Sequence, residues 1–190
     1  MPELVVLDTC VLISNVLRQG ILRLATRGCF RPIWSDVIGD EWRRNAARLW
    51  GVPAADIADQ WQALQHDFPR ANLGDVSQYK SGLERSDPKD WHVIAAARKA
   101  LVSSPQAAVT IVTRNIRDFH RGELYHLGVG LMDPDQFLVR CHADYPREIA
   151  EMLNEAPGYL ITPEREAQAL QTILKRECLF RLNKLCVTVR

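Results

Sequence analysis

Four acidic side chains in four separated segments, Asp8, Glu41, Asp90 and Asp118, are the residues whose type and setting could do chemistry in this chain. Asp8 stands out most. It interrupts "ELVVLDTCVLIS", with an apolar run on either side. Carboxylates brought together repel, and each holds its proton more tightly unless a cation lies among them. Oxygen ligands without a convincing His or Cys partner suit Mg²⁺ or Mn²⁺. Such an ion orients a water molecule and offsets the charge that builds on a phosphate. The chemistry expected is metal-assisted attack at phosphorus, on condition that the fold gathers the four acids.

The elements that would gather them can be read from apolar spacing. Residues 3–7 form a continuous apolar run, which suits a strand buried on both faces. Residues 9–26 carry Val11, Leu12, Val16, Leu17, Ile21 and Leu22 at helical spacing, with Gly28 as the stop, so one helix is expected. A second strand is expected over Phe30–Trp34. A helix starting at Ser35 or Asp36 runs to about Leu49 and is closed by Gly51 and Pro53. Another helix covers 54–66, and residues 70–86 are irregular. "SDPKDWHVIAAARKALVSS" opens a helix with Asp87 as N-cap and Pro88 in its first turn. Ala108–Thr113 is a strand, "RNIRDFHRGELYHLG" a loop or short helical turn, and Gly128–Met132 a last strand before "DPDQFL". This alternation predicts an α/β fold with a mainly parallel sheet. Beyond residue 140 the texture changes. "TPEREAQALQTILKREC" predicts a helix with Thr162 as N-cap, followed by a strand-like tail, "LCVTVR".

In an open parallel sheet, ligands bind beyond the carboxyl ends of the strands. Asp8 follows the first strand, and Thr113, Asn115 and Asp118 follow the third. At about 100° per residue, Ile38, Trp42 and Leu49 mark the buried face of the second helix. Asp36 and Asp40 point away from that face, whereas Glu41 and Asn45 fall on its side. Asp90 leads the stripe of Val93, Ile94, Ala97 and Leu101, and His92 falls opposite it, facing solvent, so it is not taken as a general base. Each acid also has a simpler role open to it. Asp8 could cap the following helix, Asp90 could complete a capping box with Asp87, and Asn115 and Asp118 could serve a turn.

Bulk properties narrow the class. At 190 residues, 47% hydrophobic and 25% charged, the chain has the composition of a globular protein with one domain and a possible appended piece. Its net charge of +1 gives no global attraction to nucleic acid, although local clusters can still act. Five cysteines without a CxxC pair argue against a disulfide framework or a zinc site and for a reducing compartment. No basic stretch precedes the first apolar run and no apolar segment nears the ~20 residues that span a bilayer. A cytoplasmic protein without membrane contact is expected.

"VVLDTCVLIS", "SDVIGDEWRRN", "DPKDWHVIAAA" and "VTRNIRDF" resemble the ordered acidic motifs of PIN-domain nucleases, and "LGVGLMDPDQFL" resembles the segment closing many of those domains. The resemblance spans residues 3–140 and is closest to VapC-type toxins of bacterial toxin–antitoxin pairs. It implies a PIN-like three-layer α/β/α sandwich, with residues 141–190 as an extension of unassigned role. It implies an endoribonuclease dependent on Mg²⁺ or Mn²⁺, cutting RNA such as tRNA or ribosomal RNA by metal-activated water. Asp8 and Asp90 would be direct ligands, with Glu41 and Asp118 acting through water or a second ion. Thr9, Thr113 and Asn115 would sit beside them. Asp87 competes with Asp90 for the third position; Asp90 is preferred because it leads the apolar stripe. A VapB-type antitoxin and a second copy of the chain would be the partners.

A nuclease also needs cations for phosphates. Arg44 and Arg48 flank Glu41, and Arg114 and Arg117 surround Asn115, although exposed arginine is ordinary surface. Trp42 and Trp91 neighbour the acids and could stack on a base, with core packing the better role for Trp42. Six basic and three acidic residues between Leu160 and Arg190 make the extension a further candidate for RNA contact. Two other classes stay open. One is a PIN-like module that binds RNA or protein without cleavage, which the loss of an acid would favour. The other is a haloacid-dehalogenase-like phosphatase, which needs a second Asp where this chain has Cys10.

Overall fold

The computed structural model describes residues 1–159 and 168–188. Four parallel strands, β1 (Leu4–Leu7), β2 (Arg31–Ile33), β3 (Val109–Val112) and β4 (Val129–Met132), pair in the order β2-β1-β3-β4. Leu7 lies opposite Val112, and Val112 opposite Met132, so the carboxyl ends form one rim. Every residue of β1 and β3 is buried, as central parallel strands covered on both faces require. Helix α5 (Trp91–Ser103) packs on β1, β2 and β3, while α2 (Asn15–Thr26) packs on β2 and α7 (Pro134–Asp144) on β4. The result is the expected α/β fold in three layers, α/β/α.

Local chemistry sets the helix ends near the rim. Ser35 caps α3 (Asp36–Trp50) by accepting the Ile38 N–H at 3.4 Å, and Gly51 closes it in a left-handed conformation with φ 64°. Against α3 lies α4 (Ala54–Asp67), and Gly39 makes their approach possible. A Cβ at that position would stand 2.3 Å from the Trp61 ring. Asp133 and Gln136 form a reciprocal capping box at the start of α7.

Four sequence expectations need correction. The single helix over 9–26 is two, α1 (Thr9–Leu12) and α2. Ser14 turns extended, with ψ 119°, because its hydroxyl accepts the Leu17 N–H and starts a new helix. The described part of "LCVTVR", residues 185–188, is not a strand: it belongs to α10 (Phe180–Thr188), and the last two residues lie outside the described ones. Asp135 caps α10 instead by accepting the N–H groups of Arg181 (2.8 Å) and Leu182 (3.0 Å). Leu49 is 60% exposed, because in the last turn of α3 Trp50, packed against Trp42, takes the core-facing side. His92 is buried rather than solvent-facing, since α5 sits between the sheet and α3 and needs two buried faces.

The last segments continue the same core. Helix α8 (Pro146–Glu155) packs on α2 and α7, α9 (Leu170–Arg176) on the turn 156–159, and α10 on α7 and α9. Ile173, Leu174, Leu179 and Leu182 are each at most 2% exposed. The expected helix over 162–178 is described only as α9, and its expected cap, Thr162, lies outside the described residues. No helix among the described residues is long and apolar enough to cross a membrane.

Candidate active site

Asp8 leaves β1 in an extended conformation and is buried, at 4% exposure. It precedes α1, but its carboxylate makes no capping bond there. Instead Oδ2 accepts the Thr113 hydroxyl at 2.6 Å and the Cys10 thiol at 3.0 Å. Thr113, fully buried at the end of β3, also accepts the Asn115 N–H at 3.0 Å. The two central strands are thus fastened at the rim by one hydroxyl. Burial, then the Asp8 charge, pushes the Cys10 thiol up to about 12, so it stays a donor. Its sulfur in turn accepts the Arg114 N–H at 3.1 Å.

Helix α3 presents Glu41 to this rim from the side. Glu41 Oε2 accepts the Thr9 hydroxyl at 3.0 Å and lies 3.3 Å from Nε2 of His92. His92 Nδ1 lies 2.8 Å from the Lys89 carbonyl, an acceptor only, which assigns a proton to Nδ1. When Nε2 also carries a proton, the ring is an imidazolium facing Glu41. In that state the contact is one of charges, without the alignment of a full hydrogen bond. Burial lowers the proton affinity of His92, but the facing Glu41 charge outweighs it, and the ring titrates above its ordinary value. For Glu41, burial acts upward and is outweighed by His92 and Thr9, which leaves the carboxyl below its ordinary value.

The third and fourth motifs are joined by the main chain. Asp87 N–H donates to the Asp118 carbonyl at 2.8 Å, and the Asp87 side chain is spent on the Lys89 N–H at 2.9 Å. Asp90 starts α5 without capping it. Its carboxyl is held up at about 6, first by burial and then by the charges of Asp8 and Asp118. Glu123, on α6 (Arg121–His126), fixes the approach to Asp90. It accepts three N–H groups, from Glu84, Arg85 and Ser86, and the Ser86 hydroxyl. These bonds outweigh burial and lower its proton affinity.

These elements enclose an open cleft of about 500 Å³. Of the residues marked in the sequence, Asp8, Thr9, Glu41, Asp90, Asn115, Arg44 and Arg48 line it, with Ile13 and the exposed Leu49 as an apolar shelf. Asp118 stands outside the lining, and its charge reaches Asp90. Thr113 lies beneath Asp8. Arg117 is exposed. Arg114 is committed elsewhere: its guanidinium lies 2.6 Å from Glu177. Trp42 is fully buried, under Arg18, and Trp91 donates to the Ser86 carbonyl at 2.9 Å. Cys10, His92, Glu123 and Glu177 were not singled out in the sequence as parts of a site. Their partners are remote along the chain or buried by a second layer, and no local spacing announces either. A groove of about 550 Å³ at the amino ends of the strands, lined by Met1, Phe30, Phe68 and Tyr145, lacks such a meeting of acids.

A family model, the PIN domain, matches residues 4–117. The chain belongs to the PIN-domain family. PIN domains are generally nucleases, hydrolases that often depend on divalent metal ions. The match takes in Asp8, Glu41 and Asp90 and ends one residue before Asp118. Comparison with curated proteins and with solved structures gave no match. The donors of this PIN cleft suit a hard divalent cation in kind, because they are carboxylate oxygens that raise one another's proton affinity. Among the described residues, no three such side chains stand close enough to form a finished ligand cluster.

Proposed function

We propose that this PIN protein is a Mg²⁺- or Mn²⁺-dependent endoribonuclease, with tRNA or ribosomal RNA as substrate, and the toxin of a toxin–antitoxin pair in the cytoplasm. The observation that carries the reading is Asp90. Its carboxyl is held up at about 6 by burial and by two other acids, in a cleft at the carboxyl rim flanked by Arg44 and Arg48. A site that concentrates negative charge this way is built for a cation.

Asp8 and Asp90 would hold the ion, with Glu41 and Asp118 acting through water or a second site. When bound, such an ion supplies an activated water and offsets charge on the phosphate. The chain's own groups do the rest. Thr113 and Cys10 fix the Asp8 carboxylate in one orientation. Thr9 and His92 hold Glu41 ionised, and Asn115 borders the cleft. Arg44 and Arg48, which line the cleft, and the exposed Arg117 would meet phosphates. A VapB-type antitoxin and a second copy of the chain are the proposed partners. The phosphatase alternative gains nothing, because a half-buried Cys10, which donates to Asp8, stands where a second Asp is needed.

The decisive experiment incubates the purified chain and its Asp8→Asn variant with total cellular RNA in Mg²⁺, Mn²⁺ or EDTA and maps new 5′ ends. Discrete cuts that need both the metal and Asp8 are expected. Cleavage by a folded Asp8→Asn protein at the wild-type rate would refute the site. Expression without antitoxin is expected to arrest growth, and harmless expression of active enzyme would remove the toxin role.

A further inference from the structure

Glu177 follows α9, far along the chain from the acids, yet its side chain is only 10% exposed. Its Oε2 accepts the Ser14 hydroxyl at 2.7 Å and a guanidinium N–H of Arg114 at 2.6 Å. Arg176 Nε lies 3.6 Å from Oε1. The two hydrogen-bond donors come from different sides of the rim. Ser14 closes the short stretch that starts at Asp8 and caps α2 through the Leu17 N–H. Arg114 sits between Thr113, which holds Asp8, and Asn115, which lines the cleft. The Arg114 N–H also reaches back to Cys10, itself bonded to Asp8. One carboxylate from the last part of the chain therefore ties together the segments that carry Asp8 and Asn115. A nearly buried carboxylate is retained only where it is paired, and charge-assisted bonds of this kind are about twice as strong as neutral ones.

We propose that Glu177 is a positioning residue of the nuclease centre argued above: it clamps Arg114 and Ser14 so that Asp8 and Asn115 keep their places, and the helices after residue 168 complete the catalytic rim. Arg114 is then an anchor rather than a phosphate contact. The role depends on the nuclease reading, and its test separates the two.

Full-length wild type, Glu177→Gln, Glu177→Ala, Arg114→Ala and the Glu177→Ala/Arg114→Ala double variant are compared for kcat and KM on one mapped RNA, and for hydrogen exchange over residues 8–14 and 113–118. Glu177→Ala is expected to lower kcat roughly tenfold with KM within about twofold, the pattern of a misplaced catalytic group. Glu177→Gln, which keeps an acceptor for both donors, is expected to lose less. The double variant is expected to match the worse single variant, because both remove one interaction. Exchange is expected to quicken in both segments and to stay slow within β1 and β3. Unchanged kcat in Glu177→Ala, additive losses in the double variant, a rise confined to KM, or unchanged exchange would each overturn the role. If wild type cuts no RNA, the nuclease function falls, and exchange alone decides whether Glu177 holds the rim.

Discussion

Asp90 shows how a single residue trades stability against chemistry. An unfolded Asp titrates near 3.9, whereas in the folded chain this carboxyl is held at about 6. Between those values the folded chain keeps a proton that the unfolded chain has released. Stability therefore declines as pH rises through that window, and the deficit persists above it. Asp90→Asn removes the deficit along with the ligand. In EDTA at pH 7.5 the variant is expected to melt higher than wild type, and near pH 3.5 the two should coincide. Asp90 is only half-buried, so screening limits the gain to about 1 kcal/mol, roughly 2–4 °C for a chain of this size. A lower melting temperature for Asp90→Asn at pH 7.5 would mean that the neighbouring acids do not strain the site. At the same scale, the capping roles open to Asp8 and Asp90 are not the ones the structure uses. Neither carboxylate caps its helix, and Thr113, from a strand remote in sequence, takes the Asp8 oxygen instead.

Among the elements, α3 matters most, because it carries Glu41, Arg44 and Arg48 together. Its angle to the rim depends on the approach of α4, where Trp61 lies against Gly39 and makes tilted ring contacts with Trp34 and Trp42. Gly39→Ala places a methyl group inside the Trp61 ring's contact distance. Overpacking of this kind costs about 1–3 kcal/mol, and a urea titration should show a lower midpoint with an unchanged slope. An unaltered midpoint would mean that the α3–α4 contact gives way freely. Helical periodicity placed Glu41 on the inner side of α3 correctly. It failed for His92, because α5 has two buried faces and a single apolar stripe describes only one.

For the whole molecule, the helices after residue 168 are part of the fold rather than an ornament. Ile173, Leu174, Leu179 and Leu182 are at most 2% exposed, and the last three belong to the same core cluster as side chains of α2, α7 and α8. At about 1.5–3 kcal/mol for each buried aliphatic side chain, their loss is comparable with the ~5–15 kcal/mol that holds a whole domain together. A chain ending at Tyr159 is expected to lose cooperative thermal unfolding and to bind a hydrophobic dye. A sharp, wild-type-like transition in that truncated chain would show that the core closes without these helices.

The sequence by itself determined the alternation of strands and helices, the carboxyl rim and three acids that line one cleft, because apolar periodicity and turn chemistry are local. It also carried the PIN-domain resemblance that the family match bears out over residues 4–117. Only the tertiary structure decided what each acid touches. Ser14 broke an expected helix to make a cap, a segment expected as a strand became helical under the Asp135 cap, and Arg114 turned to Glu177. The Asp135 cap and the Arg114–Glu177 pair join residues remote in the chain, and the Ser14 hydroxyl, whose cap to Leu17 is local, also donates to Glu177; the energy of a long-range contact leaves no mark on the spacing of neighbouring residues.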